Sequence, residues 1–412
     1  MTNHTMRWGA FLRAIDSTLA PLPTPGRTVR PDEQAASDLA LSSLIATLAM
    51  AVLNKLGTQV GGYHSFNGHS FTGTGISARA LPKHRDRLEE GGLAKVVKGY
   101  HSHDIWGVSH PTRLIPTPKF RRLFSESGVG WMDIPERPRR LIEVRKKQKA
   151  LGPEPRIVTD SRATLNRLNA NLRAANVELP ETAWSDLRAR LESAGANEKH
   201  LWEWLYMGNT LSRTMRRIFT GHWTSGGRLY GPWWQGIPKD LRRLLTINDQ
   251  ETVELDFAHL HPTLLYAEAG ARLEGDAYLV PGYTNVPRDY GKTIFQRLIN
   301  GKKAKSLWYS ADDHNVKGVI ESESDFRRYV TAMIERHHAI RQFFGKRKGL
   351  NLQYQDSELA LSIINDMTIS GIVVLPIHDS FRVIRSHRDT LHKSMIRHFF
   401  VRYGFLPDIK ES

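Results

Sequence analysis

The chain has no cysteine among its 412 residues, which excludes disulfide bonds, thiolate-bound zinc and thiol catalysis. It also lacks a long apolar run. The longest, Leu39 to Leu53, is interrupted by Ser42, Ser43 and Thr47, and as a helix it reaches roughly 22 Å, short of a bilayer core. A buried helix of a soluble, cytoplasmic protein that does not enter membranes is the expectation. Met1 to Ser17 has no continuous apolar segment of the signal-peptide kind. Repeats and low-complexity tracts are absent as well.

Positive charge is in excess. Lys and Arg number 58 against 42 Asp and Glu, a formal net charge of +16. The surplus is spread along the chain, which favours a long polyanion over a small neutral partner. A membrane-surface or ribosome-associated protein shares that balance. The length suffices for two or three domains with their own cores.

Two aspartates end short apolar, β-prone runs: Asp256 follows Val253 to Leu255, and Asp379 follows Ile372 to Ile377 and His378. Each reads as a strand delivering an acid. Two carboxylates brought together need a cation, and a pair of divalent metals held this way suits in-line phosphoryl displacement. Either Asp alone also reads as a turn residue. Between them, Arg288 and Lys292 stand four apart, on one face of a predicted helix that ends near Asn300 and Gly301. Such a face can clamp a triphosphate, although an isolated Arg/Lys pair is more often a solvated surface.

These residues resemble the palm and fingers of the single-subunit polymerases, meaning family A DNA polymerases and phage-type RNA polymerases. Asp256 to His261 resembles the first motif. Arg288, Lys292 and Asn300-Gly301 match the spacing of the second. Ile377 to Phe381 is similar to the third, especially in its phage RNA polymerase form. Gly227-Arg228-Leu229 with Gln235 to Pro238 resembles the stretch that precedes the first motif, and Asn351 and Gln355, ahead of a predicted helix over Ser357 to Ile369, resemble residues that hold primer and template. The first motif also looks like that of family B polymerases. Departures are His261, where family A DNA polymerases carry Glu, Asn300 in place of an aromatic residue, and Gln296 in place of an apolar one.

The resemblance implies an α+β right-hand polymerase. Asp256 and Asp379 would hold two Mg²⁺, with Mn²⁺ as a substitute. Arg288, Lys292, Gln296, Asn300 and His261 would meet a dNTP or NTP, with His261 excluding a ribose 2′-hydroxyl. Arg228, Gln235, Asn351, Gln355 and His378 would contact a DNA primer-template. The protein is expected to act as a monomer in a prokaryotic, phage or mobile-element setting. No cluster of acids of the exonuclease type precedes residue 220, so proofreading is not expected.

Four territories follow. Residues 1–125 combine the apolar helix, a Gly-rich connection from Gly57 to Gly75, a basic helix over Ile76 to Glu90, and strands over Leu93 to Tyr100 and Ile105 to Ile115. They read as a winged-helix-like nucleic-acid-binding domain, with Arg79, Lys83, His84 and Arg87 on the recognition helix, or as a small α+β domain with solvated charges. Residues 126–160 read as a basic, Pro-rich linker. Residues 161–222 read as a helical, thumb-like region, with helices over Ser161 to Asn176 and Glu198 to Thr220. Residues 223–412 would form palm and fingers. Trp223, Tyr230, Trp233 and Trp234 read as core filling or as a stacking platform, and His337-His338 as structural. Three functions remain open: a DNA polymerase, an RNA polymerase or primase on the same palm, and a DNA-binding protein without turnover.

Overall fold

The computed structural model describes residues 3–22, 28–53, 61–66, 71, 74–101, 109–110, 112–135, 140–145, 151–195, 212–301, 308, 320 and 322–412. Its helices are α1 (Asn3–Asp16), α2 (Pro31–Leu53), α3 (Ala80–Glu90), α4 (Pro118–Glu126), α5 (Arg156–Ala174), α6 (Glu181–Ser193), α7 (Lys239–Arg242), α8 (Leu260–Glu268), α9 (Arg288–Ile299), α10 (Glu323–Arg336), α11 (Gly349–Ile369) and α12 (Arg388–Tyr403). Its strands are β1 (Gly62–His64), β2 (Ala94–Val97), β3 (Tyr100–His101), β4 (Ser109–His110), β5 (Thr112–Pro116), β6 (Ile142–Arg145), β7 (Val177–Glu178), β8 (Arg216–Thr220), β9 (His222–Tyr230), β10 (Thr246–Ile247), β11 (Gln250–Phe257), β12 (Leu375–Ile377), β13 (Ser380–Ile384) and β14 (Ile409–Glu411). The fold is mixed, with helices and mostly antiparallel sheets; β6 and β8 pair in parallel.

Internal contacts divide the chain into two units. The first comprises Met1–Arg140, Leu179–Thr214 and Gly231–Leu244, the second Leu141–Glu178, Met215–Tyr230 and Leu245–Ser412. The chain therefore enters each unit several times, whereas the sequence suggests consecutive territories. Residues 161–222, expected as one thumb-like piece, are shared between the two.

In the first unit α2 is the core helix. By length and composition it could cross a membrane, yet Leu44, Ile45, Leu48 and Ala49 are fully buried against Trp8, Phe11, Leu81 and Phe120. Trp8 Nε1 donates to Ser42 Oγ at 3.0 Å, so the polar interruption of the apolar run is satisfied inside the core. Strands β1, β5 and β2 form a sheet in that order, and β3 pairs with β4. Helix α4 starts where Thr117 Oγ1 accepts from Phe120 N and Pro118 takes the first turn. The core runs on to Val129 and Ile134, past the boundary expected at residue 125.

The basic helix α3 differs from the expectation in detail. Arg79 and Lys83 are exposed, but Arg87 bonds Asp16 and the Ala20 carbonyl, at 3.0 and 2.6 Å. His84 is 2% exposed and meets Ser37 Oγ at 2.9 Å. These two side chains fasten α3 to its own unit and are withdrawn from any recognition surface. Trp233 and Trp234 are buried, Trp233 packing on Trp184 with ring centroids 5.3 Å apart, which is core filling.

In the second unit a six-stranded sheet carries β12, β13, β11, β10 and β7 in that order, with β14 also paired to β11. A separate sheet joins β6, β8 and β9. Two expectations fail here. Arg216 to Thr220 is strand rather than helix, because Arg217, which resembles an exposed helix cation, is wholly buried and bonded to Glu358, Ser357 Oγ and the Gly227 carbonyl. Ile142 to Arg145, expected as linker, is a strand with Ile142 and Val144 buried. The remainder of the helix expected over Glu198 to Thr220 falls mostly on residues outside the described set, as do Arg137, Arg139, Lys146, Lys147, Lys149 and parts of the Gly-rich connection and of the second N-terminal strand.

Candidate functional site

Strand β11 is central to the site. It pairs with β13 so that Asp256 faces Ser380 and Glu254 faces Arg382. Residues directly opposite in an antiparallel pair share a face of the sheet. A buried network fills that face below Asp256: Arg382 donates to Thr252 Oγ1 at 2.8 Å and to Glu254 Oε2 at 3.1 Å, and Ser380 Oγ donates to Glu254 Oε1 at 2.9 Å. Such a pair is costly to break, so it fixes the register on which Asp256 depends.

Asp379 sits in the two-residue connection between β12 and β13, next to Ser380 and therefore beside the position paired with Asp256. Both aspartates are half-buried. The other connecting residue, His378, has φ 60, and His259, three positions after Asp256, has φ 53. Left-handed backbone at residues other than glycine is strained, of order 1–3 kcal/mol each, and concentrates at functional sites. Tyr230 at the end of β9 holds the His378 ring edge-on at 5.5 Å.

Arg288 and Lys292 begin α9 as expected, one turn apart on a face continued by exposed Gln296 and Asn300. Gly291 between them is required by packing: a Cβ there would stand 2.1 Å from the Tyr278 carbonyl oxygen. That close approach sets Arg288 against the loop before α9. Arg288 Nε donates to Asp276 Oδ2 at 2.7 Å, Nη2 donates to His259 Nδ1 at 3.3 Å, and the guanidinium lies 4.9 Å from the Tyr278 ring centroid. Burial works to raise the Asp276 pKa, but Arg288 and the Tyr278 N–H outweigh it and hold the carboxyl below its ordinary value. Burial lowers the His259 pKa against the opposing pull of Asp276, with Arg288 and then Lys410 as smaller contributions in the same direction as burial, which favours a neutral ring accepting at Nδ1. The Tyr278 hydroxyl is pushed far up, first by burial and then by the Asp379, Asp276 and Asp256 carboxylates, against Arg288.

Arg228 in β9 is gripped by Asp356 of α11, through Nε to Oδ2 at 2.9 Å and a second bond from Nη2. Desolvation works to lower the Arg228 pKa, and Asp356, followed by Asp379, overcomes it, leaving a net rise. His261 Nε2 stands 2.9 Å from the same Asp356 Oδ2 and 3.0 Å from Arg228 Nη2. Nε2 can either donate to the carboxylate or accept from Arg228, one at a time, and either bond ties the ring to the pair. His261 is thus a fixed side chain in a three-residue cluster.

Asn351 and Gln355 lie inside α11 rather than ahead of a helix, one turn apart, with Gln355 Nε2 donating to Asn351 Oδ1 at 2.9 Å. Gln235 belongs to the first unit, where its Oε1 accepts from Gly231 N at 3.2 Å. Asp276, Asp356, His259 and Tyr278 are the site members that sequence reasoning passes over. Tertiary pairing alone marks Asp276, Asp356 and Tyr278, which stand in no motif, whereas His259 lies within the first motif without being singled out.

Asp256 and Asp379 are hard oxygen donors of the kind that Mg²⁺ takes, and Mg²⁺ is commonly held by one or two carboxylates together with substrate phosphates. Among the described residues no group of three or more His, Cys, Asp or Glu forms a fuller cage, so a metal here would depend on substrate oxygens.

No protein family profile matches the chain, and no curated protein matches it in sequence. A solved structure described as "POL domain of Pol1 from M. smegmatis complex with DNA primer-template and dNTP" is similar over 62% of this chain, at 13% identity and a TM-score of 0.35. The match spans 64% of that structure's chain.

Proposed function

We propose that the second unit is a template-directed nucleotidyltransferase, a compact DNA polymerase of palm-and-fingers type that extends a primer from dNTPs. The observation that carries this reading is the β11–β13 register, which sets Asp256 beside the Asp379 connection. Arg228 and Arg288 enter the same electrostatic neighbourhood, the first through Asp379 and the second through Tyr278.

Asp256 and Asp379 would hold two Mg²⁺, which when bound supply charge neutralisation at the attacking and leaving oxygens. The exposed face of α9 neutralises the triphosphate through Arg288 and Lys292, while Gln296 and Asn300 extend that face toward sugar and base. His378 and Arg228 lie toward the primer terminus, and Asn351 and Gln355 toward the template-primer backbone. This is catalysis by positioning and electrostatics, without a covalent enzyme intermediate.

His261 decides between DNA and RNA synthesis. A ring anchored by Asp356 is a rigid wall that excludes a 2′-hydroxyl, whereas an RNA polymerase or primase needs room there. The test is extension of a labelled primer-template with Mg²⁺ and separate dNTP and NTP pools. Wild type should prefer dNTPs, and His261→Ala should raise relative ribonucleotide use by roughly tenfold, or about 1.4 kcal/mol. Ribonucleotide preference in the wild type would favour the RNA polymerase reading. Absence of synthesis with either pool would leave a DNA-binding protein without turnover.

A further inference from the structure

We infer that Lys410, two residues before the end of the chain as given, is a substrate-contacting cation of the Asp256 site, with a polyphosphate oxygen as its ligand. The inference rests on the nucleotidyl-transfer reading and adds to it a residue that no motif contains.

The argument starts from the register. Strand β14 pairs with β11 on the side opposite β13, so that Lys410 stands directly across from Asp256. Ser380, Asp256 and Lys410 therefore form one row over three strands and present their side chains on one face of the sheet. Backbone bonds hold this placement at both ends: Ala258 N donates to the Asp408 carbonyl at 2.8 Å, Glu254 N to the Ser412 carbonyl at 3.2 Å, and Ser412 N to the Glu254 carbonyl at 2.9 Å.

Alternation along β14 assigns its two faces different tasks. Glu411 points the other way and is tied to the start of α12 by Arg388 Nε at 2.9 Å. That is the face α12 covers, where Phe257 meets Phe399 at 5.7 Å between ring centroids. Lys410 is exposed. Its charge also reaches His259, whose proton affinity it lowers together with Arg288, so Lys410 and Arg288 act on one ring from separate elements. An ammonium on a four-carbon stem beside a carboxylate suits a phosphate oxygen as a movable point charge. It also opposes metal binding at that carboxylate, because like charges repel over such distances.

The test compares wild type, Lys410→Met and Lys410→Arg in the full chain, with two ligands that need no turnover. Mn²⁺ binding is read by electron paramagnetic resonance, and inorganic tripolyphosphate binding in the presence of Mg²⁺ by calorimetry. Removing the charge should tighten Mn²⁺ and weaken tripolyphosphate, each by about threefold or more, with Lys410→Arg close to wild type in both. A strand residue of merely structural use would change the melting temperature and leave these opposite shifts unseen. Lys410→Met binding both ligands as wild type does would overturn the inference while the nucleotidyl-transfer reading stands. Wild type binding neither ligand would overturn both.

Discussion

Arg228 sits in strand β9 and is gripped by Asp356, whose side chain is 1% exposed; Arg288 opens helix α9 and is gripped by Asp276, whose side chain is 21% exposed. The first pair is sealed between β9 and α11, which pack against each other, and it takes His261 as a third member. Parting it leaves charges unpaired in a low-dielectric interior. The second pair is open to water, where an ion pair contributes about 0–1 kcal/mol, so an incoming phosphate can take Arg288 from Asp276 at little cost. The same residue types thus form a fixed frame on one side of the site and a releasable clamp on the other. Burial of the carboxylate makes the difference.

The largest effect tests what both arginines are proposed to serve. Asp256→Ala and Asp379→Ala should each reduce primer extension to background while DNA affinity and the melting temperature stay near wild type, because phosphate contacts elsewhere persist. Extension near the wild-type rate by either variant would remove the premise of the comparison.

Frame and clamp separate directly in stability. Asp356→Ala should cost about 3–5 kcal/mol and Asp276→Ala about 1 kcal/mol or less, read from urea unfolding. Equal costs would erase the distinction.

Acid should act on the clamp side through His337. This ring is fully buried, accepts from the Tyr266 hydroxyl at Nδ1 (3.0 Å), and donates from Nε2 to the Ala277 carbonyl at 2.8 Å, next to Asp276. Desolvation lowers its pKa from 6.5 to about 4. As pH falls through 6.5 the unfolded chain takes the proton first, so the contribution is complete above that value and is lost progressively down to about 4. The loss should reach about 2 kcal/mol by about pH 5 and about 3 kcal/mol near about pH 4, seen as a drop in the urea midpoint between about pH 7.5 and about pH 4 that His337→Gln lacks. A wild-type midpoint no more acid-sensitive than the variant's would assign the drop elsewhere.

The smallest expected effect sharpens the clamp. Arg288→Ala should raise the nucleotide KM by roughly tenfold, about 1.4 kcal/mol, and leave primer-template affinity and unfolding nearly unchanged. A loss of duplex affinity with an unmoved nucleotide KM would mean that α9 faces the nucleic acid instead.

Much of the local structure was legible in the sequence. Val253 and Leu255 precede Asp256, are apolar and lie in β11, and of the apolar run Ile372 to Ile377 the second half, Leu375–Ile377, is β12. The period of Ile294, Phe295, Leu298 and Ile299 marks the buried side of α9 and leaves Arg288 and Lys292 on the other. Errors arose where burial contradicted residue type. Arg216 and Arg217 look like a solvated helix face, but Arg217 has a buried Glu358 partner 141 positions away and Arg216 bonds Glu143 of the neighbouring strand at 2.9 Å, and both lie in β8. Ile142 to Arg145 lies among prolines and cations, and it is strand only because β8 pairs with it in parallel.

By itself the sequence determined the cysteine-free, strongly basic composition, the strands that end in Asp256 and near Asp379, and the one-face spacing of Arg288 and Lys292, because these depend on residue type and on the two short periods of strand and helix. Tertiary structure alone decided that Asp356 and Asp276 are the counterions of the two arginines, that His84 and Arg87 turn inward, and that Lys410 stands opposite Asp256. Each of those depends on which distant segments share a register or a face, and on how far water is excluded there, and neither is encoded within a window of neighbouring residues.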